Sequence, residues 1–163
     1  GSTDNFTFSQ AELDLPAASD LKRTAPRLID LDFDGDFDLV LGTQDSGVVL
    51  YWNIGDELNF SFVKDECLDI YVYGKNIKPE FADIDSDGIL DLITGVSTGG
   101  FFHYSVISMG DVNSDTNLDI FDLVITVESI VLDQSDFVCR TDMNHDQALD
   151  INDVLLMISV IID

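Results

Sequence analysis

The chain is poor in positive charge. It has 7 Lys and Arg against 32 Asp and Glu, a formal net charge of −25 at pH 7. A surface of that sign repels polyanions, so nucleic acid and anionic membrane surfaces are excluded as expected partners. Cysteine is scarce too. Cys67 and Cys139 fit no CxxC or zinc spacing; they could form one inter-domain disulfide in an oxidising compartment, or stay as buried thiols. No apolar run is long enough to cross a bilayer. The longest, 154–162, is broken by Ser159.

Signals for catalysis are also thin. Gly95-Val-Ser97-Thr-Gly99 has the outline of a nucleophile elbow, but an elbow leads into a helix, and Phe101–Ile107 that follows is strand-like. A Ser/Gly hairpin turn is the expected structure. His103 lies in that strand and is expected to pack or face solvent. Glu12, Glu66, Glu80 and Glu128 share no motif, and the paired carboxylates that could suggest glycoside hydrolysis fall inside other frames. No catalytic residues are expected. Trp52 and the nearby Phe and Tyr residues could stack on sugar rings, with core packing the favoured reading.

What the chain has in abundance is Asp at regular spacing. Asp111-Val-Asn113-Ser-Asp115-Thr-Asn117-Leu-Asp119-Ile-Phe-Asp122 sets side-chain oxygens at loop positions 1, 3, 5, 9 and 12, with a backbone carbonyl at position 7, Asn117. Asp142-Met-Asn144-His-Asp146-Gln-Ala148-Leu-Asp150-Ile-Asn-Asp153 repeats the frame, with Ala148 at position 7. Calcium suits these loops: it is a hard cation that takes 6–8 oxygens, and no His or Cys holds a ligand position. His145, at position 4, should point away from a metal in its own loop. Position 6 is Thr116 or Gln147, each costing about 1 kcal/mol if its φ is positive.

Each loop runs into an apolar helix. Ile120, Leu123, Val124, Val127, Ile130 and Val131 share one face, as do Ile151, Val154, Leu155, Ile158, Ile161 and Ile162. These stripes are expected to pack on each other in a two-helix core, with Leu118 and Leu149 pairing the loops. Phe121, Met157 and part of the stripes are left for a partner.

A second calcium frame occurs upstream, on hairpins. Asp30, Asp32, Asp34 and Asp38 take positions 1, 3, 5 and 9, with Gly35 at 6 and the Asp36 carbonyl at 7. About fifty residues on, Asp83, Asp85, Asp87 and Asp91 do the same, with Gly88 and the Ile89 carbonyl. Four carboxylates in one turn repel one another unless a cation joins them. Half of the 32 acids thus stand at nominated ligand positions. Four Ca²⁺ would offset about a third of the net charge.

Short strands surround these hairpins. They are expected at 5–8, 27–31, 39–43, 48–52, 59–64, 79–82, 92–95 and 101–107. A repeat of about 50 residues built from short strands predicts propeller-type blades. With Phe6–Phe8 as the outer strand of the second, there are two four-stranded blades. Their open faces need partners: the sheets pack together, or copies assemble into a larger ring as a homo-oligomer, or the sequence is a piece of a larger unit, with self-association slightly favoured over a two-sheet monomer.

The C-terminal stretch, about Gly110–Asp163, resembles a dockerin, the module that plugs into a cohesin domain in cellulosome-type assemblies that degrade polysaccharides. The resemblance implies Ca²⁺-dependent folding and cohesin binding. Many dockerins contact the partner with Ser-Thr at positions 10 and 11. Here those positions are Ile120-Phe121 and Ile151-Asn152, so a more apolar contact face is expected, made by Ile120, Phe121, Val127, Glu128, Ile151, Asn152, Ile158 and Ser159. Residues 5–107 resemble the FG-GAP or VCBS repeats of integrin-like β-propellers, through Pro26…Asp30–Asp38-Leu-Val-Leu-Gly and Pro79…Asp83–Asp91-Leu-Ile-Thr-Gly. That resemblance implies calcium clips on a scaffold that often presents a binding surface; it does not imply a reaction.

The expected organisation is a multidomain β plus α chain. Residues 1–107 form the β module of two calcium-binding repeats. Residues 108–163 form a duplicated, EF-hand-like calcium-loop-helix module. The expected role is non-catalytic, calcium-dependent protein–protein docking in a secreted or cell-surface protein. The alternative is a β module that binds carbohydrate or another surface ligand, with the helices as a stabilising cap.

Overall fold

A computed structural model of the chain describes residues 15, 21–32, 34–55, 59–67, 70, 72–86, 88–105, 109–132 and 138–162. The expected strand at 5–8, the nominated ligand Asp87 and the end of the strand expected at 101–107 lie outside the described residues.

Among the described residues, two antiparallel meanders make up the β part. β1 (Ala25–Ile29), β2 (Asp38–Gly42), β3 (Val48–Asn53) and β4 (Phe62–Lys64) pair in chain order as a four-stranded sheet. β5 (Lys78–Ala82), β6 (Asp91–Gly95) and β7 (Phe101–Tyr104) form a three-stranded sheet in the same order. The repeat predicted from the sequence is present in the register. Ile29 pairs with Asp38 in the first sheet and Ala82 with Asp91 in the second, so each Asp-rich loop joins the first two strands of its sheet at the same place.

The sheets pack on each other, one of the expected ways of covering their open faces. Val40, Val48, Leu50 and Trp52 from the first share a core with Val72, Ile77 and Leu92, and Phe81 and Phe102 pack against it. Burying one such aliphatic side chain stabilises by about 1.5–3 kcal/mol. Side chains alternate across a strand, so Leu39, Leu41 and Tyr51 point to the other face. They form a smaller cluster there with Leu15, Leu21 and Phe62. β2 is therefore buried along its whole length.

Backbone hydrogen bonds from Ile77 to Thr43 O (2.9 Å) and from Asn76 to Gln44 O (3.1 Å) tie the end of β2 to the segment entering β5. Gly42 is required there, because a methyl group at that position would collide with the Ile77 carbonyl.

Downstream, α1 (Ile120–Val131) and α3 (Ile151–Ile162) pack together, with the short α2 (Val138–Thr141) between them in sequence. Which faces they bury corrects the two-stripe expectation. α1 buries Asp122, Thr126 and Ser129, and α3 buries Asp153, Val154 and Met157. Ile120, Val124, Val127 and Val131 of the first stripe are exposed, as are Ile151, Leu155 and Ile162 of the second. Leu123, Ile130, Ile158 and Ile161 are half-buried. Met157, expected among the exposed residues, is fully buried.

The cause lies at the helix starts. Asp122 and Asp153 must turn back into their loops, which fixes the rotation of each helix about its axis. The residue four further on then shares the inward face, Thr126 in α1 and Met157 in α3, and in α1 Ser129, seven further on, does too. Much of the apolar stripe is left outside.

Candidate metal centres

The two helix-linked loops share most of their internal wiring. Asp111 opens the first; its carboxylate accepts from the backbone N–H of Asp115 (3.1 Å) and Thr116 (2.9 Å). Asp142 accepts in the same way from Asp146 (3.1 Å) and Gln147 (2.8 Å). Asn113 and Asn144 each accept from the residue two positions on. Asp122 Oδ1 accepts from Val112 and Asn113, and its Oδ2 from Asp119, while Asp153 accepts from Met143 and Asp150. Asp119 and Asp150 accept from the N–H of Phe121 and Asn152. Asp122 and Asp119 thereby complete a capping box that starts α1.

The backbone repeats as well. Positions 4 and 6 are left-handed in both loops: Ser114 (φ 61°), Thr116 (73°), His145 (57°) and Gln147 (67°). The strain foreseen at Thr116 and Gln147 is present, at about 1 kcal/mol each. In the hairpin loops Ser86 (66°), Gly88 (92°) and Gly35 (100°) adopt the same hand. Glycine does so at little cost.

The hairpin loops draw their carboxylates closest. One oxygen from each of Asp30, Asp32 and Asp34 lies within 4.8 Å of the others, and so do oxygens from Asp83, Asp85 and Asp91. Among the described residues these are the two groups of three carboxylates that could hold a metal ion. Asn at position 3 removes one carboxylate from each helix-linked loop.

Position 9 is clamped in both hairpins. Asp38 is buried and accepts from Leu31 N (3.0 Å) and Asn53 N (2.9 Å). Burial outweighs those donors and pushes its pKa up to about 7. Asp91 accepts from Ile84 N (2.9 Å) and faces His103 Nε2 at 3.1 Å; those contacts, the backbone one first, hold it below the usual carboxylate range.

Asp36, nominated for its carbonyl, also buries its side chain. Its Oδ1 and Asp30 Oδ1 have no hydrogen-bond partner, and burial, followed by the charge of Asp34, pushes the Asp36 pKa up. Two orphaned carboxylate oxygens in an all-oxygen loop fit a hard cation. Ile89, Asn117 and Ala148 occupy position 7 of the other loops, where the spacing nominates their carbonyls.

Several other expectations can be placed. Ser97 sits in the turn between β6 and β7, donating to Lys75 O (2.9 Å) and accepting from Asn76 (3.0 Å). It is a hairpin residue, as expected. Trp52 belongs to the core and donates from Nε1 to Asp65 (2.7 Å). Cys67 is disulfide-bonded; the side chain of the other cysteine, Cys139, lies outside the described residues. Of the residues expected to meet a partner, Ile120, Phe121, Val127, Glu128, Ile151, Asn152 and Ser159 are exposed and Ile158 is half-buried.

Sequence reasoning did not foresee two contacts of His145. Its ring stacks on Trp52 with centroids 3.9 Å apart and planes 8° from parallel. Its Nε2 faces Asp32 Oδ2 at 3.4 Å. Burial works to raise the Asp32 pKa, but His145 and the Asp34 backbone outweigh it and hold the carboxyl low. No local spacing signals either contact.

No curated protein and no solved structure matches the chain. A family model described as FG-GAP-like repeat matches residues 30–94. The matched span begins at Asp30, the first residue of one hairpin loop, and runs through the other into β6, so this part of the chain is similar to the FG-GAP-like repeat.

Proposed function

We propose that the chain is a non-catalytic, calcium-dependent docking unit of a secreted or cell-surface modular protein. The β part, residues 1–107, is the scaffold. The loop-helix part, residues 108–163, is a dockerin-like module that engages a cohesin-like partner. The observation that carries this reading is the pairing of two similarly wired Asp/Asn loops with two helices whose outer faces are apolar. Ile120, Phe121, Val124, Ile151 and Leu155 are all more than half exposed. Unpartnered apolar surface of this kind marks an interaction site.

Calcium would be held by Asp30, Asp32, Asp34 and Asp38; by Asp83, Asp85, Asp87 and Asp91; by Asp111, Asn113, Asp115, Asp119 and Asp122; and by Asp142, Asn144, Asp146, Asp150 and Asp153, with the backbone carbonyls of Asp36, Ile89, Asn117 and Ala148 at position 7. When bound, it supplies charge neutralisation and converts binding energy into folding energy. The chain's own part is to hold the loops in register through Asp122 and Asp153, which also set each helix face. The β module could in addition self-associate, since the middle of β1 is exposed.

The test is a Ca²⁺ titration of the full chain by far-ultraviolet circular dichroism, followed by capture on purified cohesin domains. Helical signal and capture should both depend on Ca²⁺ and vanish in EGTA. A helical signal indifferent to EGTA overturns the reading. Glycan binding by the β module is the second reading, favoured by the exposure of Phe60, Tyr73 and Phe101. Retention on glycans with no capture by any cohesin would put it first.

A further inference from the structure

His145 touches two of the candidate metal loops at once. It stands at position 4 of 142–153, between Asn144 and Asp146, with a left-handed backbone (φ 57°). The ring is about nine-tenths buried. Its Nε2 faces Asp32 Oδ2, at position 3 of the hairpin loop 30–38, across 3.4 Å. The stack on Trp52 fixes the ring plane. Trp52 belongs to β3, which pairs with the β2 strand that starts at Asp38. The same seam holds a cleft of about 160 Å³ lined by Trp52, Lys64, Asp65, Cys67, Asp142 and His145, and Cys67 is disulfide-bonded.

We infer that His145 is a positioning residue that couples loop 142–153 to loop 30–38, so that calcium at either site raises affinity at the other. The inference rests on the calcium reading above. A metal-bound carboxylate is oriented by the group that contacts its second oxygen, and loss of such a group costs about 10–100-fold in metal affinity. Asp32 has that group in His145, and the aim of His145 is set by the backbone of loop 142–153. An ion that orders this loop therefore orders Asp32. Linkage makes the effect reciprocal. The β part and the helical part then fill together, although each carries its own ligands.

The test follows the backbone amides of Gly35, Gly88 and Gln147 by two-dimensional NMR during a Ca²⁺ titration of the full chain. Each amide reports one loop. The variants are H145N, which keeps a residue tolerant of positive φ, and D32N on the other side of the contact. In H145N the Gly35 midpoint is expected to rise about ten-fold in Ca²⁺ while the Gly88 midpoint holds. In D32N the Gln147 midpoint should rise. A Gly35 midpoint unchanged in H145N overturns the coupling, and so does a shift shared equally by Gly88, which would signal general loosening. If no amide of the wild-type chain responds to Ca²⁺, the calcium reading itself fails and the coupling fails with it.

Discussion

Arg27 and Glu80 hold the same place in two successive repeats, 53 residues apart, and form an ion pair across the gap between β1 and β5. Two copies of one unit thus meet through opposite charges at equivalent positions. Both side chains are about half exposed, so the pair is screened and worth about 0.2–1 kcal/mol. In urea unfolding, Arg27→Glu should destabilise by about 1 kcal/mol. The double swap Arg27→Glu with Glu80→Arg should recover most of that loss. Recovery would show that the charges act on each other; additive losses would show that they do not.

Thr116 and Gln147 hold left-handed backbones that their side chains oppose. Thr116→Gly should therefore raise the Ca²⁺ affinity of its loop, or the melting point of the loaded protein, by an amount corresponding to about 1 kcal/mol. The same change at Asn117, which is not among the positive-φ residues, should bring no such gain. Calorimetric titration of the two variants decides the matter.

Asp122 accepts three backbone N–H groups while fully buried. Asp122→Ala would orphan those donors and remove half of a capping box, at a cost of about 3 kcal/mol. Amide hydrogen exchange over 120–131 should accelerate strongly, and the protection of β2 and β3 should change little. Uniform acceleration through both parts would mean that the chain unfolds as one unit.

Met157 and Phe121 make a matched contrast. Met157 is fully buried, and Met157→Ala should cost about 2–5 kcal/mol in a thermal or urea melt. Phe121 is 67% exposed, so Phe121→Ala should change stability by less than about 0.5 kcal/mol. If the outer helix face is the docking surface, Phe121→Ala should still weaken partner capture at least ten-fold. Unchanged capture would move the contact elsewhere.

The loops were legible in the sequence because their information is local. Oxygen donors at alternate positions, a turn at position 6 and a closing Asp at the start of a helix are set by neighbours along the chain. The strands were legible for a similar reason: alternation on either side of a Gly-containing turn marks a meander. Helix orientation departs from the hydrophobic periodicity because the inward demand of Asp122 and Asp153 overrides it, and Thr126, Ser129 and Met157 follow those two residues to the inside.

The amino-acid order alone determined where the chain turns, which oxygens gather, and that the hairpin unit occurs twice. Each follows from steric and electrostatic rules acting over a few residues. Only the tertiary structure decided that Arg27 meets Glu80, that Trp52 is covered by His145, and that His145 reaches Asp32. These partners are far apart in sequence, and their meeting depends on how two sheets and a loop-helix pair settle against one another. Side-chain burial and contact geometry make that choice, and they have no period along the chain.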